Sequence, residues 1–442
     1  MNGINARQAF GEKLRIYNLF PKLAGSMTEW LKHIPRIAAM GFNAIYVNPF
    51  HYSGFSGSLY SVSEYYKFKD EFIDHNCGQS PEAQLKTVIA RTHQYGMKFI
   101  MDLVINHTAI DSPLTKEHPA WYLKDNAGNI LNPFVIEEDG KKVVWGDLAE
   151  IDNENSSDLD GLYKYWLDMI TYYMRLGVNG FRCDAAYKIP TKLWNYILSN
   201  IRKEFPESLF LAETLGCEIK DVIKLAEAGF DYTFNSAKYW NYNDPWLLNQ
   251  YKLSYEKTKG IPSIGFPESH DTRRLFEETN SNLSAVKQKH QFVAFFSSGL
   301  MIPLGFEYGF KKRINVVNTN SSDYETNTGI DISDFIKTVN EVKKNHAVFN
   351  EECAIEIVDQ SNWQNVICIR KSDFNETERA LIIINKDVNN YQNVYFDSIS
   401  NAVGTKQKVM DISPEYRLDN VNERFEYNLR PGQVIVLYSK IK

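Results

Sequence analysis

Arg182 and Asp184, in Gly180-Phe181-Arg182-Cys183-Asp184, stand two residues apart at the end of a short apolar run. In a strand, side chains two apart share a face, so this spacing sets a permanent cation beside a carboxylate. An opposite charge favours the ionised acid, the form a carboxylate nucleophile needs. Three more acids occupy comparable places: Asp102 near the end of the run 97–105, Glu213 after Leu209-Phe210-Leu211-Ala212, and Asp271 just beyond 263–267. Paired carboxylates in unlike surroundings are the machinery of glycoside hydrolysis, one attacking the anomeric carbon while the other protonates the departing oxygen. Asp184 is the candidate nucleophile. Glu213 is the candidate acid, because its apolar approach and the charge of Asp184 both favour the protonated form. Asp271 then grips sugar hydroxyls. His107 and His270 accompany these acids without a metal-type His spacing, which suits neutral imidazoles that hydrogen-bond to a sugar.

The elements that must position these groups follow a repeated strand and helix rhythm. Apolar runs at 14–20, 44–47, 97–105, 178–184, 209–213, 231–234, 263–267 and 300–304 read as buried strands. Each is followed by a helical pattern, the last at 332–344. Eight such pairs describe an α/β fold, a closed (β/α)8 TIM barrel, whose chemistry sits at the C-terminal ends of the strands where the four acids fall. Two regions break the rhythm. Residues 108–157 carry no helical period, are rich in Asn, Asp, Gly and Pro, and include Trp121 and Trp145, so they read as a functional insertion after the third strand. From residue 349 the pattern changes to short alternating strands at 354–358, 366–369, 380–385 and 434–438, which predicts a C-terminal β-sandwich over 349–442. The barrel then takes 1–107 and 158–348.

Composition narrows the partners. With 43% hydrophobic and 24% charged residues the chain is globular in character, and a net charge of -6 without a long basic run argues against nucleic-acid and membrane-surface binding. The five cysteines are scattered without metal or disulfide-framework spacing. The first residues are polar, lack an apolar leader core, and no run approaches the length of a membrane span. These features predict a cytoplasmic protein, although a chain whose leader had been trimmed would read the same.

In order and spacing, several segments together resemble the α-amylase family of glycoside hydrolases, family 13. Gly41 to Pro49 is similar to the family's second-strand segment, and Asp102-Leu103-Val104-Ile105-Asn106-His107 to its first signature region. Gly180 to Asp184 resembles the nucleophile region, Leu211-Ala212-Glu213 the acid region, Ser269-His270-Asp271 the fourth region, and Gly299 to Glu307 the eighth-strand segment. The resemblance implies that the insertion is domain B and that Asp184 is nucleophile, Glu213 general acid/base and Asp271 transition-state stabiliser. It further implies substrate-binding roles for Tyr60, Asp102, His107, Arg182, Tyr187, Lys188 and His270, with Tyr60 as an aromatic platform. The implied activity is retaining cleavage of α-1,4-glucan or maltooligosaccharides through a covalent glycosyl-enzyme, with an oligosaccharide or polysaccharide as partner. No cofactor is required by that chemistry; a calcium ion held by Asn106 and Asp147 is a further implication. The chain departs from starch hydrolases where Tyr187-Lys188 replaces a Lys-His pair, and Asp184 to Pro190 with Gly229-Phe230-Asp231-Tyr232 looks more like the maltosyltransferase branch. Transfer to another sugar or from a sugar phosphate is the alternative activity, and a non-catalytic carbohydrate-binding homologue the alternative of another class.

Overall fold

The apolar runs pair into a single closed sheet of parallel strands. In the computed structural model, which describes residues 13–136 and 140–441, its members are β1 (Arg15–Asn18), β2 (Ala44–Val47), β3 (Lys98–Leu103), β4 (Gly180–Cys183), β5 (Leu209–Ala212), β6 (Tyr232–Phe234), β7 (Ser263–Gly265) and β8 (Gly299–Pro303). β1 closes the ring by pairing with both β2 and β8. Strand alternation sends Ile16, Tyr46, Ile100, Leu211, Ile264 and Met301 into one cluster within the barrel. The other face of the same strands packs outward; Tyr17, Ile45, Phe181 and Phe210 belong to the larger core shared with the helices.

The helices are α1 (Met27–Ala39), α2 (Pro81–Gln94), α3 (Leu159–Arg175), α4 (Thr191–Glu204), α5 (Ile219–Ala228), α6 (Trp246–Thr258), α7 (Leu283–Phe296) and α8 (Ser333–Asn345). α3 shows why they form: Leu162, Trp166, Met169, Ile170 and Tyr173 recur on one face and are buried, while the Asp158 side chain caps the first turn by accepting the Gly161 N–H. Last meets first where Asn340 of α8 donates to the Met40 carbonyl at 2.9 Å. Gly180 answers to close approach: a Cβ there would lie 2.3 Å from the Leu209 carbonyl oxygen, so only glycine lets β4 start against β5.

The insertion after β3 is built from two antiparallel pairs, His107–Ala109 with Leu148–Glu150 and Phe134–Ile136 with Lys142–Val144. It also contains a one-turn helix, Leu114–Glu117, where the sequence offered no helical period. After the barrel, a five-stranded antiparallel sheet orders Ile355–Ile357, Val366–Ser372, Glu378–Asn385, Val434–Lys440 and Met410–Asp411 side by side. Its long central strand explains the unbroken apolar run there: Ala380, Ile382 and Ile384 join the barrel core, while Leu381 and Ile383 face a second cluster. That cluster is shared with a two-stranded ribbon, Gln392–Phe396 with Phe425–Leu429, which the sequence pattern did not reveal. All five cysteines are unbridged, and among the described residues no helix is long and apolar enough to cross a membrane.

Candidate active site

The sheet ladder runs one step past the last assigned residue of β4 and β5. The Asp184 N–H donates to the Leu103 carbonyl at 3.0 Å, and the Glu213 N–H donates to the Cys183 carbonyl at 3.1 Å. Both acids therefore take their backbone positions from neighbouring barrel strands, at the C-terminal rim. Register sets Arg182 opposite Asp102, and Nη1 of Arg182 reaches both carboxylates, 3.0 Å to Asp102 Oδ1 and 2.7 Å to Asp184 Oδ1. The cation expected beside Asp184 is in place, and it is shared.

Asp102, expected among the substrate-binding residues, sits at the buried end of this group. It is 0% exposed, and its second oxygen accepts from the Tyr46 and Tyr60 hydroxyls. It holds Arg182 and Tyr60 through these bonds. Burial pushes its carboxyl up, and the Arg182 charge opposes that shift. Tyr60 is the hub of the rim: its hydroxyl donates to Asp102 at 2.8 Å, accepts from Asn48 Nδ2 at 3.0 Å and lies 2.8 Å from His270 Nε2. Its ring stacks on His270 with centroids 5.8 Å apart. Burial, then the nearby Asp102 charge, raise the Tyr60 phenol well above its usual value, so it remains a donor. His270 Nε2 also approaches Asp271 Oδ2 at 3.1 Å; the Asp271 side chain is 60% exposed and open to the cleft.

Glu213 is held from two sides. Oε2 accepts the Ala185 N–H at 3.1 Å and Oε1 accepts the Leu215 N–H at 2.8 Å. Ala185, directly after Asp184, has φ 40 and ψ 46, a left-handed conformation that L side chains rarely adopt. That turn presents the Ala185 N–H to Glu213 and so couples Glu213 to the residue beside Asp184. Burial raises the Glu213 carboxyl first and Asp184 adds to it, against the Arg182 charge and the two backbone N–H groups. His107 Nε2 lies 3.1 Å from the Tyr60 carbonyl, which requires a proton on that nitrogen; burial lowers its pKa and keeps the imidazole neutral.

A cleft of about 710 Å³ opens over these groups, lined by Tyr60, His107, Asp184, Tyr187, Lys188 and Asp271 together with Trp145 and Asp147 of the insertion. Arg182, Glu213 and His270 adjoin this lining through their bonds to Asp184, Ala185 and Tyr60. Lys188 stands 5.6 Å from the centroid of the Trp145 ring, so barrel and insertion touch across this side. Burial, then Glu213, push the Tyr187 phenol up to about 12. Sequence reasoning gave Tyr46, Asn48 and Trp145 no role in the site, although Gly41 to Pro49 resembled a family strand segment and Trp145 fell in the insertion. Asn106 and Asp147, the residues implied for calcium, both line this cleft. Asn106 Oδ1 is buried without a hydrogen-bond partner, as a cation ligand would be, but among the described residues no three His, Cys, Asp or Glu side chains converge on a metal position.

Comparison with known proteins bears on this arrangement. A family model described as glycogen debranching enzyme, glucanotransferase domain, matches residues 9–139. An α-1,4-glucan:maltose-1-phosphate maltosyltransferase of Burkholderia pseudomallei is 25% identical over 312 residues, covering 69% of this chain and 26% of that protein. Alpha-amylase 2 of Dictyoglomus thermophilum is 23% identical over 418 residues, covering 88% of this chain and 69% of the relative. The chain thus spans about a quarter of the maltosyltransferase's length, and 40% of a second one from Arcanobacterium haemolyticum. Among solved structures, an alpha-amylase from Lactobacillus plantarum superposes with TM-score 0.76 at 20% identity, covering 96% of this chain and 98% of that one. Bacillus licheniformis trehalose-6-phosphate hydrolase superposes with TM-score 0.75 at 16% identity, covering 98% and 100%. Motif order, barrel fold and relatives point the same way: the chain is similar to enzymes of the α-amylase family, with partial similarity to the maltosyltransferases among them.

Proposed function

We propose that the chain is a retaining α-glycosidase acting on α-1,4-glucan or maltooligosaccharides. The observation that carries this reading is the single guanidinium of Arg182 joining Asp102 to Asp184, with Glu213 tied to the next residue's N–H. In the first step an Asp184 carboxylate oxygen attacks the anomeric carbon while Glu213 passes its proton to the glycosidic oxygen, which leaves with the bond electrons. A water or sugar hydroxyl then attacks the same carbon, Glu213 takes its proton, and Asp184 is released. Two inversions retain the configuration. Asp271, exposed to the cleft, would hold hydroxyls of the distorted ring, while Tyr60 and His107 shape the floor. No cofactor enters these steps, and none is assigned to a metal.

Transfer is the second reading. The Tyr187-Lys188 pair and the maltosyltransferases among the relatives favour it, with a sugar hydroxyl in place of water as acceptor, or a sugar phosphate in place of the glucan as donor. Product analysis from one maltooligosaccharide in oxygen-18 water, with and without phosphate, separates the two. Shorter oxygen-18-labelled sugars support hydrolysis; a ladder of longer and shorter unlabelled sugars, or a phosphate ester, supports transfer. Tight glucan binding without any product would leave a carbohydrate-binding homologue and overturn the enzymatic reading.

A further inference from the structure

The charges around the cleft are unevenly divided. Six carboxylates line it: Asp147, Glu150, Asp152 and Glu154 from the insertion and its exit, Asp184 from β4, and Asp271 beyond β7. Against them, Lys188 is the single lysine or arginine among the described lining residues, and it faces the Trp145 ring. Arg182 adjoins the lining and is committed to Asp102 and Asp184, while Arg313 at the rim donates to the Asp271 carbonyl at 3.0 Å. His107 adds no charge in its neutral form. A cleft lined by one sign of charge over low-dielectric walls concentrates that field, and juxtaposed like charges suppress the wrong ligand.

We infer that the acids of residues 147–154 make the cleft a charge filter that admits uncharged sugars and rejects a donor carrying a phosphate on its anomeric oxygen. This rests on the proposed glycosidase reading and decides between its variants: transfer between neutral sugars survives, and transfer from a sugar phosphate does not. An anomeric phosphate must take the leaving group's place above Asp184, in a cleft that the acids of the insertion also line. A glucan hydroxyl in the same place brings no charge. The preference is electrostatic and partly solvent-exposed, so salt weakens it.

The test uses the full chain with 4-nitrophenyl α-maltoside as neutral substrate, comparing maltose and maltose 1-phosphate as inhibitors. The expected inhibition constant for the phosphate is at least about 10-fold weaker than for maltose at low salt, with the gap narrowing near 0.5 M NaCl, where screening acts within a few ångströms. Asp152→Asn combined with Glu154→Gln should tighten the phosphate about fivefold and leave maltose unchanged, as expected when like charges are removed. The asparagine keeps the oxygen that accepts the Glu154 and Asn155 N–H groups at 3.3 and 2.8 Å, so the loop is preserved. Equal or tighter binding of the phosphate at low salt overturns the inference, as does a gap indifferent to both salt and the double variant. Absence of aryl maltoside turnover would instead count against the glycosidase reading. Calorimetric titration of the two sugars then reads the filter directly, and failure of both to bind overturns it.

Discussion

Replacing Glu213 by glutamine removes one proton and leaves almost the same shape. If Glu213 is the general acid, the variant loses the proton for the departing oxygen, a contribution of about 10²–10⁴ in rate or about 3–5 kcal/mol of barrier. The structure adds a second cost. Both carboxylate oxygens accept a backbone N–H, from Ala185 and Leu215, and a glutamine can offer an acceptor to only one. The other N–H then faces an amide N–H₂, costing about 1–3 kcal/mol if water does not replace the bond. That second cost is the same for every substrate, so the ratio between substrates isolates the chemistry. The assay is kcat/KM on maltotriose and on an aryl α-maltoside whose phenol leaves without protonation. Maltotriose should lose about two to four decades and the aryl substrate much less. Wild-type activity should fall on the alkaline side as pH rises through the raised Glu213 pKa, because the acid works only while protonated, and that limb should vanish in the variant. Equal losses on both substrates, or an alkaline limb that survives, would refute the assignment.

Asp184→Ala should remove turnover by many orders of magnitude with glucan binding retained; a wild-type rate would end its assignment as nucleophile. Arg182→Leu strands Asp102 and Asp184 without their shared cation and should cost about 3–5 kcal/mol in denaturant unfolding, of which part returns when Asp102→Asn is added; an additive double variant would disprove the coupling. Gly180→Ala places a methyl 2.3 Å from the Leu209 carbonyl oxygen. It should destabilise by about 1–3 kcal/mol, and an unchanged denaturation midpoint would show that β4 and β5 can part there.

The barrel could be read from the chain because each strand is a short apolar run and each helix an amphipathic stretch, two periods that differ enough to separate. The Arg182/Asp184 pair was visible for the same reason, through alternation alone. Strand ends were placed a residue or two too far, at Asp184 and Glu213, and the ladder bonds made by those residues show why. The partners of Asp102 were out of reach: Tyr46 and Tyr60 meet it across register and loop, which no local pattern encodes. The same holds for the Ala185 turn, since alanine gives no hint of a positive φ. In the C-terminal region the ribbon strands Gln392–Phe396 and Phe425–Leu429 mix polar with apolar residues and pair across a long separation, so neither stood out. The Leu114–Glu117 helix is too short to display a period.

Asp184 and Glu213 hang from hydrogen bonds of adjacent strands in a closed sheet. Such a sheet has no edge along which a strand can slide, and its strands lie about 4.8 Å apart. The backbone spacing of Asp184 and Glu213 is therefore set by the scaffold. Descendants of such a chain can lengthen, recharge or replace the insertion, trading one acceptor for another, while the bond-breaking step is carried forward unaltered. A change of partner can be written at the mouth without moving the backbone beneath it.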